Sequence, residues 1–190
     1  MNKLENITLE IAKKANTIIN IENMKIPVLD GFEVKKDIKI NSKHIFVAQK
    51  DNVLEQFLTD GQLVDAETLD ERVEKILNDI RREVRHNPLY ANNGRYIDLY
   101  KEYEKDNFRY KIYVQDILID KEHFARQLNA YFVEPHSGEV CQISISAGQY
   151  LRSEYKILRE INNYKRDRII VSLEKALLLI LDNIRYDYSE

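Results

Sequence analysis

The spacing of hydrophobic residues changes from a helical to a strand repeat within the first fifty residues. Apolar positions first recur at intervals of three and four, which predicts an amphipathic helix over about residues 3–20. They are Leu4, Ile7, Ile11, Ala15 and Ile18. From Phe32 the repeat becomes two, as in a strand, and Asn41-Ser42-Lys43 predicts a turn into a second strand at residues 44–48. This part of the chain is therefore predicted to form a helix and then a β-hairpin.

Two helices are predicted between this hairpin and residue 88. The first would start at Asp51, a suitable N-cap, and end at Asp60-Gly61. Its apolar residues are Leu54, Phe57 and Leu58. The second has Thr68 and Glu71 in the spacing of a capping box and ends at Asn87-Pro88. Its apolar stripe comprises Leu69, Val73, Ile76, Leu77, Ile80 and Val84.

Alternating polar and apolar residues return after residue 95 and predict four strands joined by short connections. Their expected bounds are 96–103, 108–118, 123–133 and 139–147. Short links favour an antiparallel meander. Beyond Leu151 there is neither Gly nor Pro, and the apolar spacing predicts two helices or one bent helix, with a break near Asn162-Asn163.

Strands grouped with strands, and helices with helices, are typical of an α+β fold. We expect a mostly antiparallel sheet, made of the N-terminal hairpin and the four-strand meander, packed with amphipathic helices. A single domain over residues 1–190 is favoured, with the region 88–94 as a weak alternative boundary.

The last predicted helix is apolar on two sides, which leaves its role open. One stripe contains Ile169, Leu173, Leu177, Ile180 and Ile184, and another contains Val171, Leu178 and Leu181. Such a helix either lies in the centre of the core or pairs with another chain. A central position is favoured, and a homodimer through this helix is the alternative.

The charge balance argues against a nucleic-acid-binding protein of the usual basic kind. Lys and Arg total 29 and Asp and Glu total 32, for a formal net charge of -3. Binding to nucleic acid would have to be local, and the candidate is a basic row beyond residue 150, which a solvated helix face would also explain. It comprises Arg152, Lys156, Arg159 and Arg166.

Cysteine and histidine usage predicts neither a disulfide nor a metal centre. Cys141 is the only cysteine, and it alternates with Ile143 and Ile145, as a buried structural thiol would. The four His are scattered without ligand spacing, so we predict no metal site and no cofactor. With no recognisable export signal and no apolar segment of membrane-spanning length, a cytoplasmic location without membrane contact is expected.

All 12 Tyr lie after residue 89, and there is no Trp. If Tyr110, Ile112 and Val114 face the core, the opposite face of the meander is rich in Tyr, Asn and Gln, the side chains of many binding surfaces. The alternative is that a helix covers these side chains. The predicted partner-binding residues are Tyr96, Tyr100, Tyr113, Asn129 and Tyr131.

Two short patterns resemble nuclease motifs. Arg81, followed five residues later by His86, resembles the signature of HEPN-type ribonucleases, in which Arg and His act on the RNA phosphodiester, although Arg82 stands where that signature has a smaller polar residue. Glu33-Val34-Lys35 resembles the end of the PD-(D/E)xK nuclease signature, in which carboxylates hold Mg²⁺ and Lys assists the attacking water. Each resemblance implies a nuclease.

Three functions follow from these patterns. The favoured one is a non-enzymatic accessory protein that binds a protein partner through the Tyr-rich sheet face. The alternatives are a nuclease using Arg81 with His86 or Glu33 with Lys35, and local nucleic-acid binding through residues 152–168.

Overall fold

A computed structural model describes residues 17–21, 24–41, 43–51, 53–62, 68–86, 97–106, 108–134, 138–154 and 168–186. Within these ranges it contains strands β1 (Thr17–Ile21), β2 (Met24–Val28), β3 (Glu33–Ile40), β4 (Lys43–Lys50), β5 (Leu54–Gln62), β6 (Ile97–Lys105), β7 (Phe108–Leu118), β8 (His123–Val133), β9 (Val140–Leu151) and β10 (Arg185–Tyr186). The helices are α1 (Leu69–His86) and α2 (Arg168–Asp182). The predicted α+β class is confirmed.

Seven strands form one antiparallel sheet in the order β3-β4-β5-β9-β8-β7-β6. The predicted hairpin and the predicted meander are parts of this sheet, and the pairing of β5 with β9 joins them. A second, three-stranded sheet has the order β1-β2-β10.

The first face of the large sheet carries the main core. A row of apolar residues crosses five strands there because each pairs with the next in register: Phe46, Leu58, Ile143, Ala130 and Ile112. All five are essentially inaccessible to solvent. Helix α2 packs on this face over β8 and β9, and burying such side chains contributes about 1.5–3 kcal/mol each for the larger ones.

Helix α2 is apolar on two sides because it also contacts β2 of the small sheet. Met24, Ile26 and Val28 belong to the same core cluster as the helix. Leu181, from the second apolar stripe, is buried, while Val171 is 36% exposed. The expected central position of the helix matches this packing, and most of the second stripe is used within the chain. No helix among the described residues has the length and hydropathy to cross a bilayer.

Two buried polar side chains tie loops and strands to this core. Gln56 of β5 donates to the Pro27 carbonyl at 2.7 Å and accepts from the Leu29 amide at 3.1 Å, so it connects the two sheets. Arg126 donates through Nε to Asp116 at 3.0 Å. Gln56 and Arg126 are both shielded from water. Removing either side chain would leave the polar groups that it pairs without a hydrogen bond, at a cost of several kcal/mol in the free energy of unfolding.

Helix α1 lies on the second face of the large sheet, over β8 and β9. Its buried residues Val73 and Leu77 pack in a separate small cluster with Tyr113, Tyr131 and Val140. The predicted N-cap is present, since the Glu71 amide donates to Thr68 Oγ1 at 3.2 Å.

The structure corrects two predicted helices. Residues 17–20 form part of strand β1, whose Thr and Ile residues are β-branched and favour strands, while residues 3–16 lie outside the described part. Residues 54–62 form strand β5 instead of a short helix. Leu54, Gln56 and Leu58 alternate toward the core there, and the inward-facing polar Gln56 hid the strand repeat. The two-residue strand β10 was not predicted.

Candidate functional site

The second face of the large sheet, where the partner-binding tyrosines were predicted, is covered at its β7–β9 end. Tyr113 is 3% exposed, and Asn129 and Tyr131 are inaccessible. Val73 and Leu77 of α1 belong to the same cluster as the two tyrosines, whose rings pack edge to face at 5.9 Å. The expectation that these side chains form an open contact surface is therefore corrected: they form a core beneath α1.

Four polar residues beneath and beside α1 are hydrogen-bonded to one another. Asn129 Nδ2 donates to Gln115 Oε1 at 3.3 Å, and Asn129 Oδ1 accepts from Gln142 Nε2 at 2.9 Å and from Ser144 Oγ at 2.6 Å. Because buried amides are costly unless paired, this network explains why Asn129 can be buried. The role of Asn129 is therefore structural: it pairs the polar side chains that are buried on this face of the sheet.

Tyr100 lies on the other face from Tyr113. The register of β6 and β7 shifts between Leu99 and Lys101, which marks a β-bulge at Tyr100. Because Asp98 pairs with Val114 and Leu99 with Tyr113, the next residue, Tyr100, points to the first face, where its hydroxyl donates to Glu174 of α2. The prediction that Tyr100 shares a surface with Tyr113 is therefore wrong, and Tyr96 lies outside the described residues.

An ion-pair cluster holds the start of α1 to β6 and β7. Lys111 Nζ lies 2.9 Å from Asp70 Oδ1, and Arg109 lies 3.6 Å from the same oxygen and 3.0 Å from Glu102 Oε1. The hydrogen bond from Lys111 lowers the pKa of Asp70 below its usual value. The cluster connects helix and sheet at the helix end where a carboxylate is favoured by the macrodipole.

The predicted nuclease residues do not converge. Arg81 is engaged on its own helix, with Glu74 at 3.3 Å and Asn78, and His86 is exposed at the last residue of α1. Glu33 forms an ion pair with Lys35 at 3.1 Å on β3, a different element. Among the residues that the structure describes, no three His, Cys, Asp or Glu side chains come together as a metal site.

Of the predicted basic row, the structure describes Arg152 alone. Its Nη1 donates to the Lys121 carbonyl at 3.0 Å, and its amide donates to the Glu122 carbonyl. Arg152 thus stabilises the β7–β8 turn, whereas Lys156, Arg159 and Arg166 fall outside the described ranges. Cys141 is buried in the core, as predicted.

The edge strand β3 is exposed at all eight positions. It nevertheless carries large apolar side chains: Val34 is 44%, Ile38 39% and Ile40 52% exposed. A register shift after Val34 places this residue on the first face, while Ile38 pairs with Ile45 on the second. The period of two in this segment predicts a strand, but it cannot tell an edge strand from a central one.

A small cavity opens on the second face beside the part covered by α1, at the junction of β4, β5, β8 and β9. Its volume is about 240 Å³. Gln49, Glu55, Gln127 and Ser146, which stand in register across the four strands, give it a polar side. Ile117 and other apolar residues line the rest. No sequence motif marked this cavity, because its residues come from separate strands.

No protein-family model and no curated protein matches the chain. Among solved structures it is similar to the Saccharomyces cerevisiae Ran-binding protein Mog1p, with 11% identity and a TM-score of 0.55 over 91% of this chain and 96% of that chain. It is also similar to a point mutant of the protein Mog1, with 11% identity and a TM-score of 0.56 over 92% and 98% of the two chains. At this identity the likeness shows the fold alone: the chain has a Mog1-like α+β architecture.

Proposed function

We propose that the chain is a protein-binding module whose partner docks an extended segment against edge strand β3. The single observation that carries this proposal is that β3 is exposed at all eight positions, including those of its three large apolar side chains. Strand β3 ends the order of the large sheet, so one side of its backbone is unpaired by the described strands. Such an edge can bind a partner strand through main-chain hydrogen bonds.

The apolar side chains supply the contact surface that strand addition needs. Ile38 and Ile40 lie on the second face next to half-buried Ile45. Natural edge strands usually carry few apolar side chains, because exposed ones promote unwanted pairing. Retaining Ile38 and Ile40 at the edge is consistent with a partner that buries them.

Charge indicates what kind of segment fits. Residues 33–50 contain five Lys against two acidic residues, although the whole chain is net negative. Both acidic residues are engaged, Glu33 with Lys35 and Asp37 with His44. The excess of positive charge repels the same edge of a second copy and attracts acidic chains. The expected occupant is therefore an extended segment with alternating apolar and acidic residues from a different protein.

The structural likeness adds support at the level of the fold. Mog1p, with the same architecture, is described as a Ran-binding protein, so this fold is used to bind a protein. The likeness carries no information about which partner this chain binds.

The test compares two Ile→Asp substitutions at equally exposed strand positions. Ile40 on β3 is 52% exposed and Ile18 on β1 is 54% exposed, so the two changes should have similar effects on folding. We expect proteins captured from the native host by the wild-type chain to be retained by Ile18→Asp and reduced at least about fivefold by Ile40→Asp, because an apolar side chain central to an interface contributes more than about 1 kcal/mol.

Capture alone does not support the proposal. The supporting result is capture that Ile40→Asp selectively removes, together with slower amide hydrogen exchange along β3 when the captured protein is added. Equal loss in both variants, or no loss in Ile40→Asp, would show that the partner binds elsewhere.

A further inference from the structure

We infer that the cavity between β4, β5, β8 and β9 is a pocket for one arginine side chain. Its volume of about 240 Å³ lies below the range of about 300–1,000 Å³ typical of small-molecule sites. A single long side chain is the ligand that fits this size. The inference depends on the proposed function only in assigning this arginine to the protein partner.

The charge of the lining selects a cation. Among the described residues that line the cavity, Glu55 is the only charged one. Gln49 Nε2 donates to Glu55 Oε2 at 3.1 Å, which holds the carboxylate in place. The remaining carboxylate oxygen can accept from a ligand, and the Gln49 amide oxygen next to it is also an acceptor. Aliphatic and acidic side chains carry no donor and would leave these acceptors unpaired, whereas a cationic side chain provides donors that are strengthened by its charge.

The shape and polarity favour arginine over lysine. Gln127 and Ser146 add further side-chain oxygens on the same polar side. A planar guanidinium has five N–H donors and can bond several oxygens at once, whereas an ammonium is a compact point charge. Ile117 and Ile119 offer an apolar wall along which the three methylenes of arginine can lie.

One side of the cavity is formed by a bulge in β9. Phe124 pairs with Tyr150 and Arg126 with Ala147, so Gly148 and Gln149 together face one residue of β8. Gln149 has a φ of 70°, a left-handed conformation that residues other than Gly and Asn seldom adopt. The bulge directs Gln149 to the cavity, and strained positions of this kind are concentrated at binding sites.

The backbone at the bulge is fixed. The Gly148 amide donates to the Val53 carbonyl at 2.7 Å, which joins β9 to the residue before β5. A Cβ at Gly148 would lie 3.6 Å from the Cβ of Ala125 and 3.7 Å from the Val53 oxygen, so the chain segments are already closely packed. The pocket is thus formed before a ligand binds, which lowers the entropic cost of binding.

The cavity lies within reach of the proposed docking edge. Gln49 of β4 is directly opposite Glu33 of β3, one strand spacing of about 4.8 Å away. An ordinary protein interface covers about 800 Å² of each partner, or roughly 28 Å across. A partner seated on β3 and the adjoining sheet face therefore extends over the cavity.

The experiment titrates the full-length ¹⁵N-labelled chain with N-acetyl-arginine methylamide and, separately, with the citrulline and lysine analogues. Citrulline keeps the size of arginine without its charge. We expect saturable shifts at the amides of Ser146, Gly148 and Gln149 with arginine. Binding of citrulline should be at least about tenfold weaker, since a hydrogen bond to a charged group is worth about 1.5–3 kcal/mol.

Glu55→Gln should weaken arginine binding by a similar factor, while Glu83→Gln, the same change at an exposed position of α1, should leave it unaltered. Equal binding of arginine and citrulline, shifts spread outside the cavity, or no effect of Glu55→Gln would each overturn the inference. If the arginine analogue does not bind while Ile40→Asp still abolishes capture of the partner, the arginine pocket is rejected and the docking edge is supported. If the analogue binds while Ile40→Asp has no effect on capture, the pocket is supported and the docking edge is rejected.

Discussion

The hydroxyl of Tyr131 is buried beneath α1 without a hydrogen-bond partner among the described residues. Its desolvation costs stability that no hydrogen bond offsets. Tyr131→Phe should therefore raise the free energy of unfolding by about 1 kcal/mol, or about 3 °C in Tm for a chain of this length.

The matched control is Tyr103→Phe, because the Tyr103 hydroxyl donates to the Asp182 carboxylate. Its removal should lower the free energy of unfolding by about 1–2 kcal/mol. Thermal denaturation followed by circular dichroism measures both changes. A loss of stability in Tyr131→Phe equal to that in Tyr103→Phe would mean that the Tyr131 hydroxyl is paired.

Several tyrosines are held protonated by their surroundings. The hydrogen bond to Asp182 raises the pKa of Tyr103 to about 12, and burial raises the pKa of Tyr110 to about 12 and that of Tyr131 further. A raised pKa means that the stabilisation is complete below the unfolded value of about 10 and is lost as pH rises through the folded value. Stability should therefore fall between about pH 10 and 12.

Absorbance at about 295 nm during titration with base checks this expectation, and the chain is well suited to it because it has 12 Tyr and no Trp. A tyrosine with an unperturbed pKa ionises near pH 10, whereas Tyr103, Tyr110 and Tyr131 should ionise only as the circular dichroism signal of the fold is lost. A single transition near pH 10 with the fold intact would contradict it.

At the scale of elements, α1 packs against the sheet through a smaller apolar cluster than α2 does. The ion pair between Asp70 and Lys111 adds to the attachment of α1. The lowered pKa of Asp70 implies a contribution that is present above the unfolded carboxyl pKa of about 4 and is lost as pH falls through the folded value. Because Asp70 is half exposed, this contribution is no more than about 1 kcal/mol.

Asp70→Asn should accordingly speed hydrogen exchange of the α1 amides at pH 7, while exchange in β8 stays unchanged. In the wild-type chain α1 should lose protection from exchange as the Asp70 carboxylate is protonated at low pH, and most of this loss should be absent in Asp70→Asn. Asp79→Asn is the control on the same helix, since Asp79 pairs with the exposed Arg82 three residues later. Equal effects of the two substitutions on α1 would show that the contact between Asp70 and Lys111 does not hold the helix to the sheet.

The strands and helices could be predicted wherever the apolar residues of the sequence pattern are the ones that the fold buries. The predicted bounds of β7 and β8 match the structure at both ends, because apolar residues alternate cleanly between turn residues. The prediction failed at β5, where the inward Gln56 satisfies the backbone of a loop distant in sequence. A polar residue with a tertiary role breaks the pattern from which a strand is recognised.

At the scale of the whole molecule, the candidate site depended on contacts that no local pattern contains. The alternation correctly placed Tyr113, Asn129 and Tyr131 on one face, but whether that face is open depends on where α1 packs. The docking edge and the cavity likewise follow from strand order and from the bulge at Gln149. The fold class and the faces of the sheet can therefore be predicted from the sequence, but the surface that remains accessible cannot.

The pairing of β5 with β9 also has a consequence for the order of folding. Leu58 meets Ile143 across this pair, so the N-terminal strands cannot complete their sheet until β9 has left the ribosome. Until then, β5 presents an unprotected edge, and closure of such a distant pairing is slow compared with helix formation. A nascent or truncated chain that stops before residue 140 would expose the unpaired edges of β5 and β8 at the same time, and aggregation would then compete with folding.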